Sequence, residues 1–217
     1  MQEIDLFPSR IFKSKIDPSV YNKKEIVDIL IKNYQKDESK DRNAWDDDSN
    51  LHHYYNDWFN AKYDKVPLDK LNVVYENKVN DLMKQINFCQ NIDYKWTFEN
   101  ITVNAKHMSA HDHVGFADGY QCVYSGIHYM KFNQDIHSPT TFFNPLMVSQ
   151  FNCLTDNLVK ILSNSSIENS NYFSSWQIPV QEDDFIFFPA YLKHNVISQI
   201  DDDYRITGVI NVRLSAV

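Results

Sequence analysis

Asp184-Phe185-Ile186-Phe187-Phe188-Pro189-Ala190-Tyr191-Leu192-Lys193-His194 is the stretch whose reading decides the fold. Phe185 through Phe188 are apolar at every position, so an extended run here is apolar on both faces and must be covered on both. Pro189 has no N–H to offer a neighbouring strand, and the ladder is expected to break there. The chain then emerges through Ala190-Tyr191-Leu192 and sets His194 just past the end of a core strand, where functional residues gather. Taken alone, His194 reads as a hydrogen-bonded interior histidine.

Downstream, an extended 205–214 strand puts Arg205, Thr207, Val209 and Asn211 on one face and Ile206, Gly208, Ile210, Val212 and Leu214 on the other. The second face is small or apolar throughout and belongs in a core. The first begins with a guanidinium beside a hydroxyl. That pair suits a carboxylate, through a bidentate charge-assisted contact plus one more donor. The bland alternative is a surface ion pair with Asp201, Asp202 or Asp203.

Working back toward the N-terminus, 195–200, 176–180, Thr140–Phe143 and Tyr120–Phe132 read as strands, the third ended by Asn144-Pro145. Met147, Phe151, Leu154, Leu158 and Ile161 have helical spacing, and Ser163–Ser175 is rich in Ser and Asn. Tyr94, Trp96 and Phe98 alternate, then Ile101, Val103 and Ala105 alternate in the opposite phase. The slip predicts a bulge or bend at Glu99-Asn100. Before Asn91 the period is helical. Leu68, Leu71, Val74 or Tyr75, Val79, Leu82 and Ile86 make an apolar stripe from Pro67 onward. Ile26, Ile29, Leu30 and Tyr34 make another over 18–35, with Asp17 as N-cap and Pro18 at the first helical position. Lys36–Asn50 is polar, and its Asp46-Asp47-Asp48 run reads as a solvated turn. Glu3–Ile16 is strand-like, interrupted at Phe7-Pro8.

Helices thus come first and seven or eight strands follow, without βαβ alternation. That order predicts a mainly β, α+β chain: an antiparallel double sheet of jelly-roll, cupin-like form, with the N-terminal helices packed on one sheet. We expect a single domain over 1–217, with 1–90 as strand and helical support and 91–217 as the β core.

Composition narrows the function classes. The 217 residues are 43% hydrophobic and 23% charged, a globular balance. No apolar run approaches the ~20 residues of a membrane span, and Met1–Lys15 has no signal-peptide pattern. Cys89, Cys122 and Cys153 show neither metal spacing nor a disulfide framework, which suits a reducing cytoplasm. The net charge of −8, with no basic patch, argues against nucleic acid as a partner.

The remaining motif is Ala110-His111-Asp112-His113. On an extended segment His111 and His113 point to one face and Asp112 to the other. Two imidazoles on one strand make half of a transition-metal site, although a His-x-His pair alone is equally at home in an exposed loop.

The ordered combination resembles the iron(II)- and 2-oxoglutarate-dependent oxygenases, in particular a branch common in bacteria and tailed phages. The residues carrying the resemblance are Leu6-Phe7-Pro8, Trp96 with Asn104, His111-Asp112-His113, Ser125-Gly126-Ile127-His128-Tyr129, Phe142-Phe143-Asn144-Pro145, Phe188-Pro189 with His194, and Arg205-Ile206-Thr207. They span most of the chain in order, and the late motifs are the most specific. The resemblance implies a double-stranded β-helix core with Fe(II) held by His111 and His194. It implies the C5 carboxylate of 2-oxoglutarate on Arg205 and Thr207, with Tyr129, Asn104 and Ser125 as further cosubstrate contacts, and O2 as oxidant. No catalytic residue is implied beyond the metal centre. The expected substrate is a small molecule or peptide, with a prolyl, peptidyl or amino-acid C–H as one choice and the Leu146–Ser175 region as a lid.

The chain departs from the superfamily at one position. Where most members have His-x-Asp or His-x-Glu, the third position here is His113. Either it is the third ligand, or a carboxylate such as Asp112 or Asp118 takes that place. His128 also replaces an expected aromatic. Two other readings follow from the same residues: a cupin-like protein binding metal and a carboxylate or sugar without oxidation, and a structural jelly roll that has lost its metal.

Overall fold

The computed structural model describes residues 9–36, 52–54, 64–86, 91–103, 108–145, 175–196 and 203–216. Asn104, Leu6-Phe7-Pro8, Asp46–Asp48 and the 146–174 part of the expected lid lie outside the described residues.

Among the described residues two α-helices precede most of the strands. The first, α1 (Lys23–Lys36), buries Ile26 and Leu30, and α2 (Asp69–Ile86) buries Leu71, Tyr75, Val79 and Leu82. The choice between Val74 and Tyr75 falls to Tyr75. The expected start of the first helix is corrected. Asp17 does cap a turn and accepts from the Ser19 N–H at 2.8 Å, but that turn is a short 3-10 helix over Pro18–Val20. Tyr21 and Asn22 separate it from α1, because burial of Tyr21 draws the chain inward before the α-helix begins. Of the strand-like N-terminal segment, residues 3–8 lie outside the described residues, and the described part forms β1 (Phe12–Lys15).

All strand pairing is antiparallel. Beyond β1 the strands are β2 (His52–Tyr54), β3 (Ile92–Val103), β4 (Met108–His111), β5 (Phe116–Ala117), β6 (Tyr120–Lys131), β7 (Thr140–Phe143), β8 (Ser175–Gln177), β9 (Asp184–Pro189), β10 (His194–Val196) and β11 (Ile206–Ala216). Among the described residues the larger sheet runs β1-β9-β6-β11-β3-β2, with β5 paired to β6, and the smaller runs β4-β10-β7-β8.

Three layers result. One core lies between the helices and the larger sheet, where Ile26, Leu30, Leu71 and Tyr75 meet Phe185, Phe187, Ile206, Ile210 and Val212. A second lies on the other face of that sheet, where Ile127, Tyr129, Ile186, Phe188 and Val209 meet Phe142 of the smaller one. The run Phe185–Phe188 is therefore covered on both sides, as its composition requires. Pro189 does not break the ladder as expected. It is the last residue of β9, paired with Tyr124, and the Ala190 N–H continues the pairing to the Val123 carbonyl at 2.8 Å.

The phase slip in β3 is a bulge. Val209 pairs with Asn100 and the next residue, Ile210, with Phe98, so Glu99 is the extra residue. Phe98 and Ile101 both pack toward the helices. Glu99 and Asn100 therefore occupy successive positions away from that core. Among the described residues no helix is long and apolar enough to cross a membrane.

Candidate metal centre

The smaller sheet assembles the histidines. His194 on β10 is the direct cross-strand partner of His111 on β4, so the two imidazoles stand side by side on one face. Their ring centroids are 4.4 Å apart. His113 reaches the same point by a different route from the one its spacing suggests. Strand β4 ends at His111, and the chain turns as the Asp112 carboxylate accepts from the Val114 N–H at 3.2 Å. The His113 N–H then donates to the Ala190 carbonyl at 2.9 Å, tying this turn to the end of β9. The His113 ring lies 5.2 Å from that of His194 and nearly parallel to it. One nitrogen from each of His111, His113 and His194 lies within 4.8 Å of the others, a grouping that could hold a metal ion.

The protonation states suit metal binding. His111 Nδ1 lies 2.8 Å from the Ser109 carbonyl and His194 Nδ1 lies 2.9 Å from the Leu192 carbonyl. A carbonyl only accepts, so each Nδ1 carries the proton and Nε2 is the ring nitrogen with a lone pair to offer a metal. Burial, and then the neighbouring His111, pushes His113 down to about 4 and His194 down to about 3. At neutral pH both rings are neutral ligands in waiting. Neither carboxylate alternative joins them. Asp112 serves its own turn. Asp118 sits at the β5–β6 hairpin with φ of 51° and lies 3.6 Å from Lys95.

Along the inner face of the larger sheet, a row of paired side chains, polar at both ends and apolar in the middle, runs from this centre to Arg205. Asn211 pairs with Ser125, Val209 with Ile127 and Thr207 with Tyr129. Arg205, just ahead of β11, is 1% exposed. Its guanidinium stacks near the rings of Tyr129 and Phe132, at 5.5 and 6.0 Å from their centroids. Burial lowers its pKa and the adjacent Tyr129 opposes that shift, but an arginine stays charged. Its Nε has no hydrogen-bond partner among the described residues. The surface ion pair with Asp203 does not form, because Asp203 is held by Lys131 at 2.8 Å. A buried guanidinium with an orphaned N–H fits an anionic ligand.

Of the other expected contacts, Tyr129 donates to Thr140 Oγ1 at 2.9 Å beside Arg205. Ser125 lies at the opposite end, its hydroxyl donating to Asn211 Oδ1 at 2.7 Å, which commits it to the histidine side. His128 faces the helices, where its Nδ1 lies 3.0 Å from the Tyr75 hydroxyl, and takes no part in the centre. Asn211 and Glu99 were not expected. Asn211 donates to Glu99 Oε2 at 2.8 Å. Its place on the Arg205 face was legible from the alternation; its partners were not.

Solved structures share this fold. SnoK, a non-heme α-ketoglutarate-dependent carbocyclase from nogalamycin biosynthesis, matches with TM-score 0.52 at 11% identity, over 94% of this chain and 79% of that one. A prolyl hydroxylase from Trichoplax adhaerens, solved with a hypoxia-inducible-factor oxygen-degradation-domain peptide, matches with TM-score 0.52 at 11% identity, over 94% and 82%. The chain has the fold of the iron(II)- and 2-oxoglutarate-dependent oxygenases. AviO1 from Streptomyces viridochromogenes matches that fold too, with TM-score 0.53 at 11% identity over 94% and 89%. At this identity the likeness is one of fold. No protein-family model matches the sequence, and no curated protein does. Within this oxygenase fold the antiparallel double sheet and the flanking helices are as the strand order predicts.

Proposed function

We propose that the chain is an iron(II)- and 2-oxoglutarate-dependent dioxygenase that hydroxylates a C–H bond of a small-molecule or peptide substrate. The observation that carries this reading is that both groups border the core between the two sheets: three imidazoles gathered at the end of the smaller sheet and, ahead of β11 of the larger one, a buried Arg205 whose Nε has no hydrogen-bond partner among the described residues. His111, His113 and His194 are the proposed ligands. Arg205 and Thr207 are the proposed holders of the distal carboxylate, with Tyr129 beside them. When bound, iron and cosubstrate supply O2 activation, with succinate and CO2 as co-products and a hydroxylated substrate. The protein does the rest. The backbone carbonyls of Ser109 and Leu192 hold the tautomers of His111 and His194. The guanidinium neutralises the anion in a site where Ile127, Ile186, Phe188 and Val209 exclude water. The acidic net charge favours a neutral or basic peptide over nucleic acid.

Anaerobic titration with Fe(II) and then 2-oxoglutarate tests this. The expected result is a weak visible charge-transfer band, absent in Arg205→Ala and His194→Ala, and succinate formation on admitting O2. Iron binding with no band and no succinate would instead support a cupin-like metal- and carboxylate-binding protein. One observation favours that second reading: the third donor is an imidazole where oxygenases of this fold mostly have a carboxylate.

A further inference from the structure

We propose that Lys131 is a positioning residue for the Arg205 site: by holding the Asp203 carboxylate, it keeps the acid nearest in sequence from neutralising the guanidinium and leaves that site open to an anion from outside the chain. The inference rests on reading Arg205 as the holder of a ligand carboxylate.

A guanidinium buried as deeply as that of Arg205 is costly without a counter-ion. The chain carries one two residues away. Tyr204, between them, faces the helices, where its ring meets that of Tyr34 edge-on and its hydroxyl accepts from Gln35 Nε2 at 3.0 Å. Arg205 and Asp203 both meet the end of β6 instead. Arg205 lies over the rings of Tyr129 and Phe132, and Asp203 meets Lys131.

Asp203 is held in two places. Lys131 Nζ donates to both of its carboxylate oxygens, each at 2.8 Å. His137 holds its main chain. The His137 Nδ1 accepts from the Asn133 N–H at 2.9 Å, so the proton is on Nε2, which donates to the Asp203 carbonyl at 3.2 Å. The His137 ring also lies 5.6 Å from that of Phe132, the ring the guanidinium faces at 6.0 Å.

The pairing runs against the energetics of the folded chain alone. Lys131 and Asp203 are both partly exposed, and an ion pair there contributes little. A partner is worth most to the buried guanidinium, yet its Nε bonds to nothing among the described residues. A clamp that withholds Asp203 accounts for this, because the cost is offset only when an outside anion arrives.

The probe is 2-oxoglutarate, titrated anaerobically into the Co(II)-loaded protein. The Arg205 Nε–H resonance is followed by NMR in the ligand-free protein. Lys131→Met is expected to weaken 2-oxoglutarate about tenfold, because the freed Asp203 competes for Arg205. The Nε–H resonance should move downfield as it gains a carboxylate. Asp203→Asn in that background should reverse both effects, while Asp203→Asn alone should change affinity by less than about threefold. Lys131→Arg keeps a bidentate grip on the acid and should match the wild type in both readouts. Wild-type affinity and an unmoved resonance in Lys131→Met would overturn the inference. So would equal tightening by Asp203→Asn with and without Lys131, the mark of a general charge effect. If the wild type binds no 2-oxoglutarate, the functional reading falls, and the resonance alone decides whether Lys131 withholds Asp203.

Discussion

Replacing Arg205 with methionine should move stability and ligand binding in opposite directions. The guanidinium is 1% exposed and no carboxylate pairs with it among the described residues. Exchanging buried ionic groups for apolar side chains of similar volume is often worth about 1–4 kcal/mol in favour of the apolar version. Against that gain stand the contacts with Tyr129 and Phe132, on the order of 1 kcal/mol for a desolvated cation over aromatic rings. The net is about 0–3 kcal/mol, and its middle value of ~1.5 kcal/mol raises Tm about 3–6 °C for a chain of this size without ligand. The same change removes a charge-assisted bidentate partner from a buried anion site, which costs about 2–5 kcal/mol, or roughly 30- to 5,000-fold in affinity. With metal and 2-oxoglutarate at ~100 times its wild-type Kd, the wild type gains about 2.7 kcal/mol and the variant at most about 0.9 kcal/mol. The two melting curves should therefore change order: variant above wild type when ligand-free, wild type above variant when loaded. Differential scanning fluorimetry with and without metal plus 2-oxoglutarate reads this directly. An Arg205→Met protein that melts lower when ligand-free and still binds 2-oxoglutarate normally would refute the reasoning, since the guanidinium would then serve a structural partner.

Two other predictions test the scaffold. A Cβ at Gly126 would lie 2.7 Å from Phe185 Cζ and 3.0 Å from both Ile210 Cγ1 and Phe187 Cε1, all inside a packed core. Gly126→Ala should therefore cost about 1–3 kcal/mol, seen as a lower urea midpoint at unchanged m. Burial, reinforced by the charges of Lys23 and Lys78, pushes His128 down to about 3 from an ordinary 6.5. Between those values the unfolded chain binds a proton that the folded chain refuses. The stability is thus complete above pH ~6.5 and is lost toward pH 3, at up to about 1.4 kcal/mol per pH unit. Urea unfolding between pH 7.5 and 5 should show this, and His128→Phe should show a shallower loss.

How far the sequence could be read depended on the range of the interaction involved. Phe185–Phe188 and the two faces of Arg205–Leu214 obey a period of two, and both were legible because each side chain's face is settled locally. The β3 bulge was legible for the same reason, as a slip in that period. The start of α1 was not. Asp17-Pro18 is a good local start signal, yet burial of Tyr21 interrupts the helix after one 3-10 turn. The same limit applies to His113. Its spacing from His111 suggested a shared strand face, but the ring is delivered by a turn and by the Ala190 carbonyl, and no local pattern encodes that bond. Asn211 was placed on the correct face, while its hydrogen-bond partner Glu99 is a bulge residue 112 positions away in the chain.

The larger sheet links the two ends of the site through a single strand. Thr207 pairs with Tyr129 beside Arg205, and Asn211 pairs with Ser125 beside His113. Between them Val209 opposes Ile127, two apolar residues that separate the cationic end from the imidazole end. A ligand that satisfies both ends must carry an anionic group and, a few carbons away, donor atoms for a metal. A monocarboxylate or an inorganic anion can reach Arg205 but leaves the histidine end empty, so it gains only part of the binding energy. On the proposed reading a dicarboxylate with an α-keto group meets both requirements, and 2-oxoglutarate is expected to bind in preference to simpler acids. The apolar pair in the middle supports that selectivity, because a polar group placed there would be buried without a partner.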